Sequence, residues 1–95
     1  MAIITAHAVT GQITVTTAGT AVQGPDVLTP GGVFIKALAA NTGKMYYGNN
    51  DNGDVDSSTG FELSAGEKIY VGIGNLKDLW FDSSVNGEKV CWSKA

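Results

Sequence analysis

Ninety-five residues carrying a net charge of −3 make one small, mildly acidic domain, because a chain this short cannot split its apolar residues between two stable cores. All six basic residues are lysine; without arginine's bidentate contacts to phosphate and guanine, a dispersed set of lysines argues against a nucleic-acid partner. The lone cysteine, Cys91, rules out an internal disulfide framework, and no apolar run approaches the ~20 residues of a membrane-spanning helix.

The N-terminus, MAIITAHAV, has no basic leader segment and no sustained apolar stretch, so the expectation is a soluble protein that is not marked for export. Residues 1–10 read as a first strand or an extended arm, and residues 11–95 as the domain proper. In the arm Ile3, Thr5 and His7 alternate with Ile4, Ala6 and Ala8, so both faces are largely apolar. Such a strand is either buried on both sides or completed by another chain, which makes Ile3, Ile4 and His7 candidate contact residues. His7 is the only histidine and is read as a packing residue.

From Gln12 to Thr17 the run QITVTT alternates cleanly, with Ile13 and Val15 inward and Gln12, Thr14 and Thr16 outward. Ala18-Gly19-Thr20 turns the chain, Ala21-Val22-Gln23 is a short return, and Gly24-Pro25-Asp26 turns it again. After the break at Pro30-Gly31-Gly32, Val33 to Ala39 reads as a central strand. Asn41-Thr42-Gly43 is expected to close a hairpin, with Met45 to Gly48 returning antiparallel.

Asn49 to Gly60 is a loop, and its acids Asp51, Asp54 and Asp56 are the one weak candidate for a metal site. Calcium needs six or more oxygens around a tightly turned loop. The residues supply such oxygens, but with Gly53 at the turn position the flanking ligand positions fall on Gly48 and Thr59, so the EF-hand spacing fails. The expectation is a solvated loop without a bound metal.

Phe61 to Leu63 alternates, Ser64-Ala65-Gly66-Glu67 turns, and Lys68 to Ile73 puts Ile69, Val71 and Ile73 on one face as a core strand. Gly72-Ile73-Gly74 lacks the residues of a phosphate loop. Leu79 to Asp82, a tight turn centred on Asn86-Gly87, and Lys89 to Ser93 finish the chain, with Trp80 and Trp92 expected on paired antiparallel strands. Cys91, with no basic neighbour to lower its pKa, is read as packing. The whole pattern specifies an all-β domain, a single small antiparallel sandwich or barrel of jelly-roll type with seven or eight short strands.

Chemistry is sparse. One His and one Cys cannot build a zinc site, there is no Gly-x-Ser-x-Gly elbow, and a domain this small offers little cleft for a two-carboxylate hydrolase. The expectation is a protein that is not an enzyme and holds no cofactor.

From Val33 to Trp92 the order of signposts resembles a small β-domain of tailed-phage virions, the head decoration, cement or minor structural proteins. The match is carried by Ile35 and Ala37 before Asn41-Thr42-Gly43, then Tyr47-Gly48, then Thr59-Gly60-Phe61 with Leu63, Gly66 and Glu67. Asn75-Leu76, Leu79-Trp80 and Val85, Gly87, Glu88 and Val90 continue it, and Thr16 to Val22 resembles the opening of such domains. The resemblance implies a structural protein on the outer capsid surface of the virion, made in the host cytoplasm. Its partners would be the major capsid protein and further copies of itself, commonly as a homotrimer. Two alternatives stay open: a tail, baseplate or head-fibre accessory domain, and a carbohydrate- or calcium-binding β-module that uses the acidic loop with an exposed Trp80 or Trp92.

Overall fold

Alternating polar and branched residues produce β1 (Thr10–Val15), which turns Ile13 and Val15 into the core and leaves Gln12 and Thr14 exposed. The computed structural model describes residues 8–49 and 54–95; Ile3, Ile4, His7 and Asp51 lie outside them. The further strands are β2 (Val22–Gln23), β3 (Val33–Ala37), β4 (Met45–Gly48) and β5 (Phe61–Leu63), then β6 (Lys68–Val71), β7 (Trp80–Ser83) and β8 (Glu88–Lys94). A 3-10 turn at Leu76–Asp78 is the one helical element among the described residues.

These eight strands form two four-stranded sheets, β1-β8-β3-β6 and β2-β7-β4-β5, with every pairing antiparallel. The sheets pack face to face on a core that includes Val15, Val33, Ile35, Met45, Phe81, Val90 and Trp92. Of the strands that follow one another in sequence, β4 and β5 alone are neighbours in a sheet; each other connection crosses from one sheet to the other. An eight-stranded double sheet ordered in this way is a jelly roll, and the sandwich expected from the alternation is present.

The hairpin expected at Asn41-Thr42-Gly43 is not. β3 pairs with β6 and β8, whereas β4 pairs with β5 and β7, so Asn41-Thr42-Gly43 is a corner between sheets. Side chains hold that corner. The Asn41 amide imitates a strand residue: its Nδ2 donates to the Lys89 carbonyl at 2.7 Å and its Oδ1 accepts from the Lys89 N–H at 3.1 Å. Glu88 is buried, and its Oε1 accepts from the Thr42 N–H at 2.7 Å, the Thr42 hydroxyl at 3.1 Å and the Gly43 N–H. Backbone donors drawn out of water need such partners, and here a single carboxylate oxygen supplies them for exposed Thr42 and half-buried Gly43.

Trp80 and Trp92 likewise fall on strands of opposite sheets, β7 and β8, and not on paired strands. The Asn86-Gly87 turn between them forms, with Gly87 at φ 79°, but it carries the chain over the edge of the sandwich. Lys68 to Ile73, read as a core strand, gives β6 at the border of its sheet, with Ile69, Val71 and Ile73 partly buried against the core. Gly11 does not end a strand. It lies within β1 opposite Trp92, and a side chain there would run into the indole, with Cζ2 2.6 Å from a Cβ.

Removing the Glu88 carboxylate leaves two corner N–H groups without a partner. Glu88→Ala is therefore expected to lower unfolding stability by about 1–3 kcal/mol, read as a shift in the urea midpoint, with a smaller loss for Glu88→Gln, which keeps an accepting oxygen.

Candidate functional site

The acidic loop spends its chemistry on its own fold. Asp56 Oδ1 accepts from the Ser58 N–H at 2.8 Å, the Ser58 hydroxyl at 2.7 Å and the Thr59 N–H at 3.0 Å. These bonds, led by the one from the Ser58 hydroxyl, hold the Asp56 carboxyl below its ordinary range. Asp54 contributes its carbonyl, which accepts from the Thr59 hydroxyl at 2.8 Å. Among the described residues no three His, Cys, Asp or Glu side chains gather as metal ligands.

What the loop does instead is cover a sheet. The outward residues of β2-β7-β4-β5 include Tyr46, Asp82 and Glu62, which lie side by side in register. Val55 is buried, and Gly60 packs so close to Tyr46 that a Cβ there would lie 2.5 Å from that of the tyrosine. Gly19 donates its N–H to Asp82 Oδ1 at 2.9 Å and ties the turn after β1 over the same face. Tyr46 and Asp82 are consequently buried although both point away from the core.

The other outer face is bare of covering chain among the described residues. Its residues fall into three cross-strand rows: Thr10, Ser93, Phe34 and Tyr70; Gln12, Cys91, Lys36 and Lys68; Thr14 and Lys89. The two central side chains of β8, Cys91 and Ser93, are small, while the flanking strands raise Gln12 on one side and Phe34, Lys36 and Lys68 on the other. The result is a hollow of about 580 Å³ with a largely apolar lining. Phe34 is 47% exposed and Tyr70 51% exposed, and their rings meet edge to face at 5.3 Å and 61°, a favoured geometry for aromatic pairs. Tyr70 is anchored, its hydroxyl donating to the Gly31 carbonyl at 2.7 Å. Cys91, read from sequence as packing, is half-buried on this outer face, where its Sγ approaches the Lys36 carbonyl at 3.5 Å.

The tryptophans are not on this surface as a patch. Trp92 is 7% exposed and belongs to the core, and Trp80 is half-buried. Both indole N–H groups are buried, and among the described residues neither has a hydrogen-bond partner. Sequence alternation pointed to Ile13 and Val15 as inward, but it did not single out Phe34, Tyr70, Lys36 and Lys68. The signal was available: Phe34 and Lys36 alternate with the inward Val33 and Ile35, and Lys68 and Tyr70 alternate with Ile69 and Val71. Against known protein families, curated proteins and solved structures, the chain matches none.

Glu67 resembles Asp56 in its electrostatics. The Ser64 N–H, donating to its Oε1 at 2.7 Å, pulls its carboxyl below the ordinary range. A carboxylate whose folded pKa is depressed stabilises the fold above its unfolded pKa and loses that contribution as pH falls through the folded value. Acid titration of the fold is therefore expected to steepen below the usual carboxylate range. Asp56→Asn, which keeps an oxygen for the Ser58 N–H, is expected to flatten that limb in a pH series of thermal melts.

Proposed function

We propose that the chain is a structural docking module, a head decoration or cement protein of a tailed phage that lies on the outer capsid surface. It attaches through one face of the sandwich and stiffens the shell by bridging neighbouring major capsid subunits, commonly as a homotrimer. The observation that carries this reading is the difference between the two outer faces: on one, described loop residues cover Tyr46 and Asp82, and the other presents Phe34, Tyr70 and a hollow to whatever meets it. An exposed aromatic patch on a rigid sheet is what a partner surface uses. Jelly rolls also occur among capsid and lectin domains, which fits the order of signposts from Val33 to Trp92 as an analogy of fold.

A second reading is favoured by the same aromatic pair. Phe34 beside a hollow is a platform on which a sugar ring can stack, so a carbohydrate-binding module stands as the alternative, now resting on Phe34 and Tyr70 and no longer on Trp80 or Trp92. A tail or baseplate accessory domain would use the face in the same way and differ in number.

Copy number separates these. In particles produced from the genome that encodes the chain, the decoration reading expects a stoichiometry comparable with that of the major capsid protein, measured by quantitative mass spectrometry of purified virions. A few copies per particle would move the protein to the tail, and none would remove it from the virion. Light scattering of the purified protein is expected to give the native mass of a trimer.

A further inference from the structure

The bare face carries charge of one sign. Its rows contain Lys36, Lys68 and Lys89 and no carboxylate, in a chain whose acids outnumber its bases nine to six. Lys36 and Lys68 sit directly opposite each other on β3 and β6, a juxtaposition of like charges that weakens a sheet. Both also line the hollow. Of the acids, Asp56 and Glu62 are exposed on the side of the other sheet, and Glu88 and Asp82 are buried.

We infer that the occupant of this face is an acidic protein surface, one that places an apolar side chain in the hollow over Cys91 and carboxylates against Lys36 and Lys68. The inference rests on the docking reading above for the existence of a partner and adds the partner's chemistry. Pairing of two copies through this face would set lysine rows against lysine rows, which costs free energy at a desolvated contact. Head-to-tail pairing with the acidic side of another copy would join opposite faces of one sandwich, a heterologous contact that continues into a ring or an open stack of copies. A different, acidic chain satisfies both the charge and the shape. Carboxylates brought to Lys36 and Lys68 relieve their mutual repulsion, so the two lysines contribute more in the complex than in the free protein. They also steer the approach, which makes association sensitive to ionic strength.

The test uses the whole chain labelled with nitrogen-15, titrated with a random copolymer of glutamate and tyrosine as an acidic, aromatic polypeptide probe. Polylysine and maltoheptaose serve as cationic and neutral-sugar probes. The expected result is saturable amide shifts at Gln12, Phe34, Lys36, Lys68 and Cys91 with the copolymer alone. Affinity should weaken about tenfold or more as sodium chloride rises from about 0.05 M to about 0.5 M. Lys36→Glu with Lys68→Glu is expected to abolish the shifts while keeping a dispersed, folded spectrum, and Lys36→Gln with Lys68→Gln to weaken them; Lys77→Glu, away from the face, leaves them in place. No shift, shifts elsewhere, or shifts that survive the double charge reversal overturn the inference. Broadening of the same amides with protein concentration alone would assign the face to a second copy, and a salt-independent response to maltoheptaose would assign it to a glycan; either overturns it. Copy number in virions is a separate readout. A high copy number with no copolymer binding rejects the acidic partner and leaves the decoration reading standing, whereas copolymer binding with no virion copies does the reverse.

Discussion

The contact on which the architecture turns is the one between the Glu88 carboxylate and the N–H groups of Thr42 and Gly43. At that point β3 leaves one sheet and the chain enters the other, and the carboxylate that receives the corner stands at the first residue of β8, the strand that β3 pairs with. Asn41 repeats the arrangement one step away by bonding to both backbone groups of Lys89. One short segment of β8 therefore ties down the corner between the end of β3 and the start of β4. A buried carboxylate is an expensive way to hold a turn unless it is well supplied with donors, and here Oε1 takes the Thr42 N–H, the Thr42 hydroxyl and the Gly43 N–H.

The difference between the two outer faces follows from the same economy of loops. Connections that cross between sheets are short and leave no chain to spare for the face of β1-β8-β3-β6. The long connection is the single within-sheet one, from β4 to β5, and it folds back over its own sheet with Val55 buried beneath it. Asp54 and Asp56, two of the acids that looked like ligands in the sequence, belong to the polar shell of that cover. The bare face, in contrast, keeps its side chains as the strands present them, and its hollow exists because β8 has Cys91 and Ser93 where its neighbours have Gln12, Phe34 and Lys36.

Strand existence was legible in the sequence, because period-two alternation is a local property. Ile13 and Val15 in β1, and Val33, Ile35 and Ala37 in β3, are buried as the pattern requires. Strand pairing was not legible. Asn41-Thr42-Gly43 and Asn86-Gly87 carry the same turn chemistry whether the next strand folds beside the last or crosses to the other sheet; the choice is made by Glu88 and Asn41 reaching across the structure, which local pattern does not contain. The same nonlocality hid the candidate face. Phe34 and Tyr70 are far apart in sequence and meet only because β3 and β6 pair, so neither looked like half of an aromatic pair.

The pairing of β1 with β8 has a kinetic consequence. Val15 meets Glu88 and Thr10 meets Ser93, so β1 stays without its ladder until β8 has been made. On the ribosome such a chain emerges as unpaired strands, with the corner at Thr42 and Gly43 waiting for its carboxylate. Contacts between distant segments make folding slow, in the millisecond-to-second range typical of β-sandwiches. The newborn chain must remain soluble through that interval, and the lysines and threonines on the outward side of β1, β3 and β6 keep those strands from pairing with the edges of other chains in the meantime.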